Sequence, residues 1–169
     1  MELEAAIRSR RSHKRFGSDP VPREIILELL ELARWAPNHH LTEPWRFRVL
    51  GPASLARLAA TGKPGELEKL SRAPTLVVAS AKLTGDDHQN QEDVLATACA
   101  VYVVLLAAHA RGLASYWRTP RVLQSRAGQV AVGMDEDEQF IALIHLGAPV
   151  DDPAPKERAP VDSFVAFLD

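Results

Sequence analysis

Along residues 23 to 35 the apolar positions recur at intervals of three and four. Ile25, Leu29 and Ala33 form one stripe, with Ile26 and Leu30 beside it. That spacing predicts an amphipathic helix from Arg23 to Trp35, opened by Pro22 and ended by Pro37. The period then changes. Trp45, Phe47 and Val49 alternate with Arg46 and Arg48, which predicts a strand over 45–50 with one covered face. The run TLVVASA at 75–81 follows Pro74 without a polar interruption, as expected of a central strand covered on both faces. From about Asp87 to Arg111 a long helix is expected. Between Val94 and Ala110 it is apolar on nearly every side, so it reads as the buried spine of the domain, with Gly112 as its C-cap.

Weaker signals fill the intervals. A short first helix carries Leu3, Ala6 and Ile7, runs into a basic stretch and stops near Phe16-Gly17. A small helix over 53–60 precedes a flexible break at 61–65. Leu113–Trp117 and Gln139–Leu146 read as strands, and Pro120 opens a helix reaching about Gly128. Strands separated by helices around a spinal helix give an α+β, three-layer domain with a mixed sheet. Residues 1–169 make one domain. The proline-rich stretch 151–160 is extended, and the apolar VDSFVAFLD after it needs a surface to lie on, for which a partner subunit is suited.

Composition narrows the function classes. A net charge of −2 with 46% hydrophobic and 25% charged residues is that of a soluble globular protein, with no global field drawing it to nucleic acid or an anionic membrane. Cys99 is the single cysteine; its apolar neighbours predict a buried, inert thiol, and a reducing, cytoplasmic location fits. Met1 leads directly into an acidic amphipathic stretch, so no signal peptide is expected. No uninterrupted apolar run reaches the roughly 18 residues of a membrane span.

The charge is local instead. Five Lys and Arg residues fall within Arg8–Arg15. Such a run suits a nucleic-acid patch, a phosphate grip or a solvated helix end. No GxGxxG follows the first strand, no GxxxxGK[ST] or HExxH occurs, and the six histidines form no metal set. His109 and His145, in apolar segments, read as satisfied core histidines. What remains lies at the ends of elements: Arg10, Arg11, Ser12 and Lys14 after the first helix, Asn38 and His39 after the second, and Trp117, Arg118 and Thr119 after a strand. Guanidinium forks match phosphate oxygens, hydroxyls add short donors, and tryptophan offers a flat apolar face. Together they suit a ligand aromatic at one end and phosphorylated at the other, such as flavin mononucleotide.

RRSHKRF, then APNHHLTEPWRFRVL, then the alanine-rich helix ending in Arg111-Gly112-Leu113, then Trp117-Arg118-Thr119 and finally IALIHLGAP resemble, in that order, the compact members of the nitroreductase-like flavoproteins. The resemblance covers nearly the whole chain. It implies a three-layer fold with a mostly antiparallel central sheet and an extended C-terminal tail packed on the partner subunit. It also implies a homodimer with FMN at the subunit interface, reduced by NAD(P)H and reoxidised in ping-pong fashion by a small nitroaromatic, quinone or enone. By resemblance, Arg10, Arg11 and Ser12 hold the flavin's phosphate, ribityl chain and pyrimidine edge, with Lys14 beside them. Trp35 and His39 come from the other subunit. Trp117, Arg118 and Thr119 form a loop by the ring, and Arg158 is a late phosphate contact. No side-chain acid or base is required, and Arg10 is the candidate electrostatic stabiliser. Three departures stand out: Lys14 where the family usually has Arg, Trp35 in place of a charged contact, and Glu43 for the usual Gln before Pro-Trp. Two other readings stay open, a nucleic-acid-binding protein and a flavin-binding protein without NAD(P)H turnover.

Overall fold

The computed structural model describes residues 1–168. Its sheet has four strands in the order β1-β2-β4-β3: β1 (Trp45–Val49), β2 (Thr75–Lys82), β3 (Ala114–Arg118) and β4 (Glu138–Gly147). Every neighbouring pair is antiparallel. The expected mixing survives only as an isolated parallel bridge between Ser12 and Ser115, at the free edge of β3.

Strand alternation divides the core in two. Val77 and Ala79 of β2, with Ala142, Ile144 and Leu146 of β4, face α2 (Arg23–Ala33) and α5 (Asp87–Ala110). Leu76, Val78 and Leu143 face the opposite layer: α3 (Pro52–Ala60), α4 (Glu66–Leu70), a 3₁₀ turn over Arg121–Gln124 and α6 (Arg126–Ala131). Helices on both faces explain why β2 is buried at every position but its last. Leu29, Leu58, Leu123 and Leu143 are each fully buried, so cutting any of them to alanine removes about 2–5 kcal/mol.

Several expectations need correction. The first helix, α1 (Leu3–Ser9), stops about two turns earlier than the pattern suggested, and the basic stretch beyond it is extended. Only Ala6 of α1 is buried; Leu3 and Ile7 lie exposed. The helix expected from Pro120 is broken at Ser125, whose hydroxyl caps α6 by accepting from Gly128 N–H. Gly128 lies inside α6 because a Cβ there would sit 1.8 Å from the Val122 carbonyl oxygen. Cys99 is exposed, not buried. It belongs to a stripe on α5 with Leu95 and Tyr102, so the spine is covered on one side only. By length and composition α5 would also cross a membrane, yet half of its most apolar window is packed inside this fold.

Candidate functional site

The basic stretch is shaped by the sheet edge. Arg10 N–H closes α1 on the Ala6 carbonyl, and the chain then runs beside β3. His13 N–H donates to Ser115 O at 3.0 Å, Gly17 N–H donates to Ala148 O at 2.9 Å, and Phe16 bridges Pro149. His13 is buried and meets Asp151 at 3.4 Å. Arg10 is half-buried. Burial lowers its pKa and Tyr102 opposes that, while Arg11 and Arg158 lower it further. Arg10 thus feels both other guanidiniums, and among the described residues none of the three pairs with a carboxylate. Arg11 is held by the carbonyls of Arg8 and Arg10 at 2.6 and 2.9 Å. His109 of α5 closes the group, 2.7 Å from Ser9 Oγ; burial, then Arg10, His13 and Arg11, lower its pKa. It is a half-exposed member of this cluster and not the core histidine expected.

Trp117 and Arg118 are not loop residues. Both belong to β3 and so point to opposite faces. Trp117 packs against the α2–α5 core, whereas Arg118 lies on the other face and donates to Lys69 O at 3.2 Å. Because the Ser115 carbonyl points outward to His13, alternation turns the N–H and C=O of Trp117 to the same free edge. Thr119 follows, exposed. Ser115 Oγ is buried without a partner among the described residues, beside the Ser12 bridge. Ser12 itself is exposed.

Arg118 links two cavities. One, about 520 Å³, is lined by Lys63, Glu66, Lys69 and Arg121 among others. The second, about 170 Å³, is lined by Lys14, Phe16, Arg72, Tyr116, Arg118 and His145. Lys14 thus stands on the opposite side of the edge segment from the Arg10 group. His145 is buried as expected but not satisfied: its Nε2 has no partner among the described residues. The sequence reading missed Arg72, Lys63 and Lys69. Their only signal was a rise in lysine and arginine within and after the 61–65 break.

Trp35 and His39 lie elsewhere. Trp35 is 79% exposed at the end of α2. His39 meets Glu92 of α5 at 2.8 Å, stacks on His40, and its hydrogen bond to Glu92 lowers that carboxyl's pKa. His40, Leu41 and Glu43 all have positive φ, a strained conformation for side-chain-bearing residues. The loop is held by Asn38 Oδ1, which accepts from Glu43 N–H, and by Thr42, which donates to the buried Asp93 at 2.6 Å. From Glu92 to His109 is roughly 25 Å along a helix axis. Within one chain, then, Arg10, Arg11, Ser12 and Arg158 come together, and Trp35 and His39 do not join them.

The α+β sandwich with this cationic sheet edge defines the class: a nitroreductase-like fold. A nitroreductase family model matches residues 7–62. YfhC of Bacillus subtilis (strain 168), which carries the provisional name NAD(P)H nitroreductase, is 32% identical over 94% of this chain and 90% of its own length. A nitroreductase-like family protein from Bacillus cereus superposes over 100% of this chain and 97% of its own, at 23% identity with a TM-score of 0.89. A protein from Desulfovibrio desulfuricans, provisionally described as a nitroreductase and solved in complex with FMN, is 26% identical with a TM-score of 0.80, covering 98% of this chain and 96% of its own. The chain belongs to the nitroreductase family.

Proposed function

We propose that the protein is an FMN-dependent NAD(P)H oxidoreductase of the nitroreductase type. It acts as one domain per subunit in a homodimer that holds flavin at the subunit interface. The observation that carries this reading is the unneutralised Arg10–Arg11–Arg158 group beside the open end of the β3 edge. These donors fit FMN: guanidiniums for the phosphate, the Ser12 hydroxyl for the ribityl chain, and the outward N–H and C=O of Trp117 for a planar polar edge. Thr119 and the β3 residue Arg118 flank that edge, and Lys14 approaches from the opposite face. Trp35 and His39 are too far along α5 to serve the same chain's site, so they would reach the partner's flavin. The exposed apolar stripe of Leu95 and Tyr102 supports pairing of subunits through α5. Exposed Phe164, Phe167 and Leu168 suit a tail laid across the partner.

When bound, FMN supplies the redox chemistry, accepting a hydride from NAD(P)H and reducing a small nitroaromatic, quinone or enone. The chain's own work is electrostatic. Arg10, half-buried, would stabilise negative charge at the cofactor more strongly than a solvated cation can. Reductant and acceptor would use one cleft in turn, giving ping-pong kinetics, and solvent can supply protons. The test is the visible spectrum after reconstitution with FMN, followed by anaerobic titration with NADH and NADPH. A stoichiometric yellow protein bleached by either nicotinamide is expected. A protein that retains no flavin overturns the reading, and bleaching by dithionite alone reduces it to flavin binding without turnover.

A further inference from the structure

The loop after α2 keeps a conformation that its residues disfavour. His40, Leu41 and Glu43 have φ of 55°, 52° and 44°, in the left-handed region that side chains with a Cβ rarely occupy. Strain of that kind persists only where surrounding groups over-determine the backbone, and two of those groups stand side by side on α5. Asp93 Oδ1 accepts from the Thr42 hydroxyl at 2.6 Å and from Gln89 Nε2 at 3.1 Å, while its Oδ2 has no partner among the described residues. The residue is 1% exposed and, among the described residues, its carboxylate pairs with no cation. Burying a carboxylate in that way costs stability. Gln89 belongs to the same helix, one turn back. What the burial secures beyond α5 is therefore Thr42 and, through it, the loop.

Glu92, the neighbouring residue, aims a side chain of the same loop. Its Oε2 meets His39 Nδ1 at 2.8 Å and its Oε1 meets His88 Nε2 at 3.5 Å. The bond to His39 lowers the Glu92 pKa, so at neutral pH the carboxylate is ionised and can only accept. Nδ1 then carries a proton, and Nε2, which makes no hydrogen bond among the described residues, is the nitrogen left to a ligand. Stacking on His40, with ring centroids 3.8 Å apart, restrains the plane of the ring. A neutral ring accepts at Nε2 from a hydroxyl or an N–H, and a charged ring donates there to an oxygen. In both forms Glu92 decides which nitrogen is offered. His39 and Glu92 also line a hollow of about 330 Å³ with Leu95 and Cys99 of α5. His39 thus stands beside the apolar stripe through which the subunits are proposed to pair.

We propose that Asp93 and Glu92 are positioning residues for the flavin of the partner subunit. Asp93 locks the 38–43 loop through Thr42, and Glu92 fixes the tautomer of the His39 ring that the loop presents. Both act through these loop residues and not by contact with the cofactor. The inference rests on the proposed flavin site between subunits.

The first experiment is a double-mutant cycle on FMN affinity, read by quenching of flavin fluorescence in the natural chain, His39→Ala, Glu92→Gln and the double variant. Gln keeps the shape of Glu92 but can donate as well as accept, so it no longer dictates the tautomer. About a tenfold loss is expected in His39→Ala and about fivefold in Glu92→Gln, with the double variant no weaker than His39→Ala within about twofold. Nitrogen chemical shifts of the neutral His39 ring should report a proton on Nδ1 in the natural chain and a mixture of tautomers in Glu92→Gln. Additive losses, or natural affinity in Glu92→Gln, overturn the role of Glu92. The second experiment breaks the Asp93 contact from the loop side, which leaves the buried helix residue in place. In flavin-free protein, Thr42→Val should speed amide exchange at Glu43 about tenfold while amides of β2 keep their rates. It should also weaken FMN, and Thr42→Ser, which keeps the hydroxyl, should restore both. Unchanged exchange in Thr42→Val, or faster exchange with natural FMN affinity, overturns the role of Asp93. A natural chain that takes up no FMN removes the flavin reading and this proposal with it, whereas FMN binding with an additive cycle removes the proposal alone.

Discussion

Removing the Glu138 carboxylate should loosen the whole sheet. Arg48 of β1 reaches across β2 and donates two hydrogen bonds to Glu138, at 2.6 and 2.8 Å. The Ser80 hydroxyl of β2 donates to the same carboxylate, and Arg48 Nε donates to Gly133 O at 2.9 Å. Three strands are thus tied through one group whose side chain is 1% exposed. Breaking a buried pair by removing one partner costs about 3–5 kcal/mol. Arg48 is 22% exposed and can regain some water, so about 2–3 kcal/mol is the reasonable expectation for Glu138→Ala. Glu138→Gln, which keeps the shape and loses the charge, should fall between. Burial by itself would raise the Glu138 pKa, but the Arg48 and Ser80 hydrogen bonds outweigh it and hold the carboxyl below its ordinary value. A folded-state pKa below the unfolded one gives stability that is complete above the unfolded value. That stability is lost as pH falls through the folded one. The gap between natural chain and Glu138→Ala should therefore be level from pH 7 to about 5 and narrow below the ordinary carboxylate pKa of about 4.3. Urea unfolding at fixed protein concentration measures it. A Glu138→Ala chain within about 0.5 kcal/mol of the natural one at pH 7, with the same m value, would refute the reasoning.

Three further predictions bear on the site and the assembly. Arg10→Ala should weaken FMN binding about tenfold to a hundredfold, measured by quenching of flavin fluorescence, and an unchanged Kd would remove Arg10 from the site. Gly128→Ala must move α6 off the Val122 carbonyl and should cost about 2–3 kcal/mol in the same urea assay; a neutral result would mean that the 3₁₀ turn yields freely. A chain ending at Ser163 loses the exposed Phe164 and Phe167, so sedimentation velocity should find it dissociating at higher concentration than the full chain. Equal dissociation would leave the tail without a role in pairing.

The fold was legible wherever period and burial agree. β2 was readable because both its faces are covered, and α2 because one face is. Failures came where tertiary pairing overrides local preference. Arg10 to Phe16 has no strand alternation of its own; β3 imposes the extended form by offering the Ser115 carbonyl to His13. The family resemblance made Trp117 and Arg118 joint members of a loop, yet β3 runs one residue past the expected end at Trp117 and places them on opposite faces. Cys99 looked buried because apolar residues surround it in sequence, although its own side of α5 is bare. The Arg10, Arg11, Ser12 and Arg158 group was named from the sequence, and the structure brings these residues into one neighbourhood. The cavity around Arg72 and His145 was not named. Its members come from four separate segments, and no short motif joins them.

The segment from Ser12 to Gly17 also guards the sheet. β3 is an edge strand, and an uncovered edge is a template for pairing with other chains. By occupying its first half, that segment leaves only the end near Trp117 open, and does so with residues whose charges discourage stacking of copies. Selection for solubility and selection for ligand binding therefore act on the same few positions. Substitutions in this stretch that detach it from β3 should appear first as aggregation, before any change in binding can be measured.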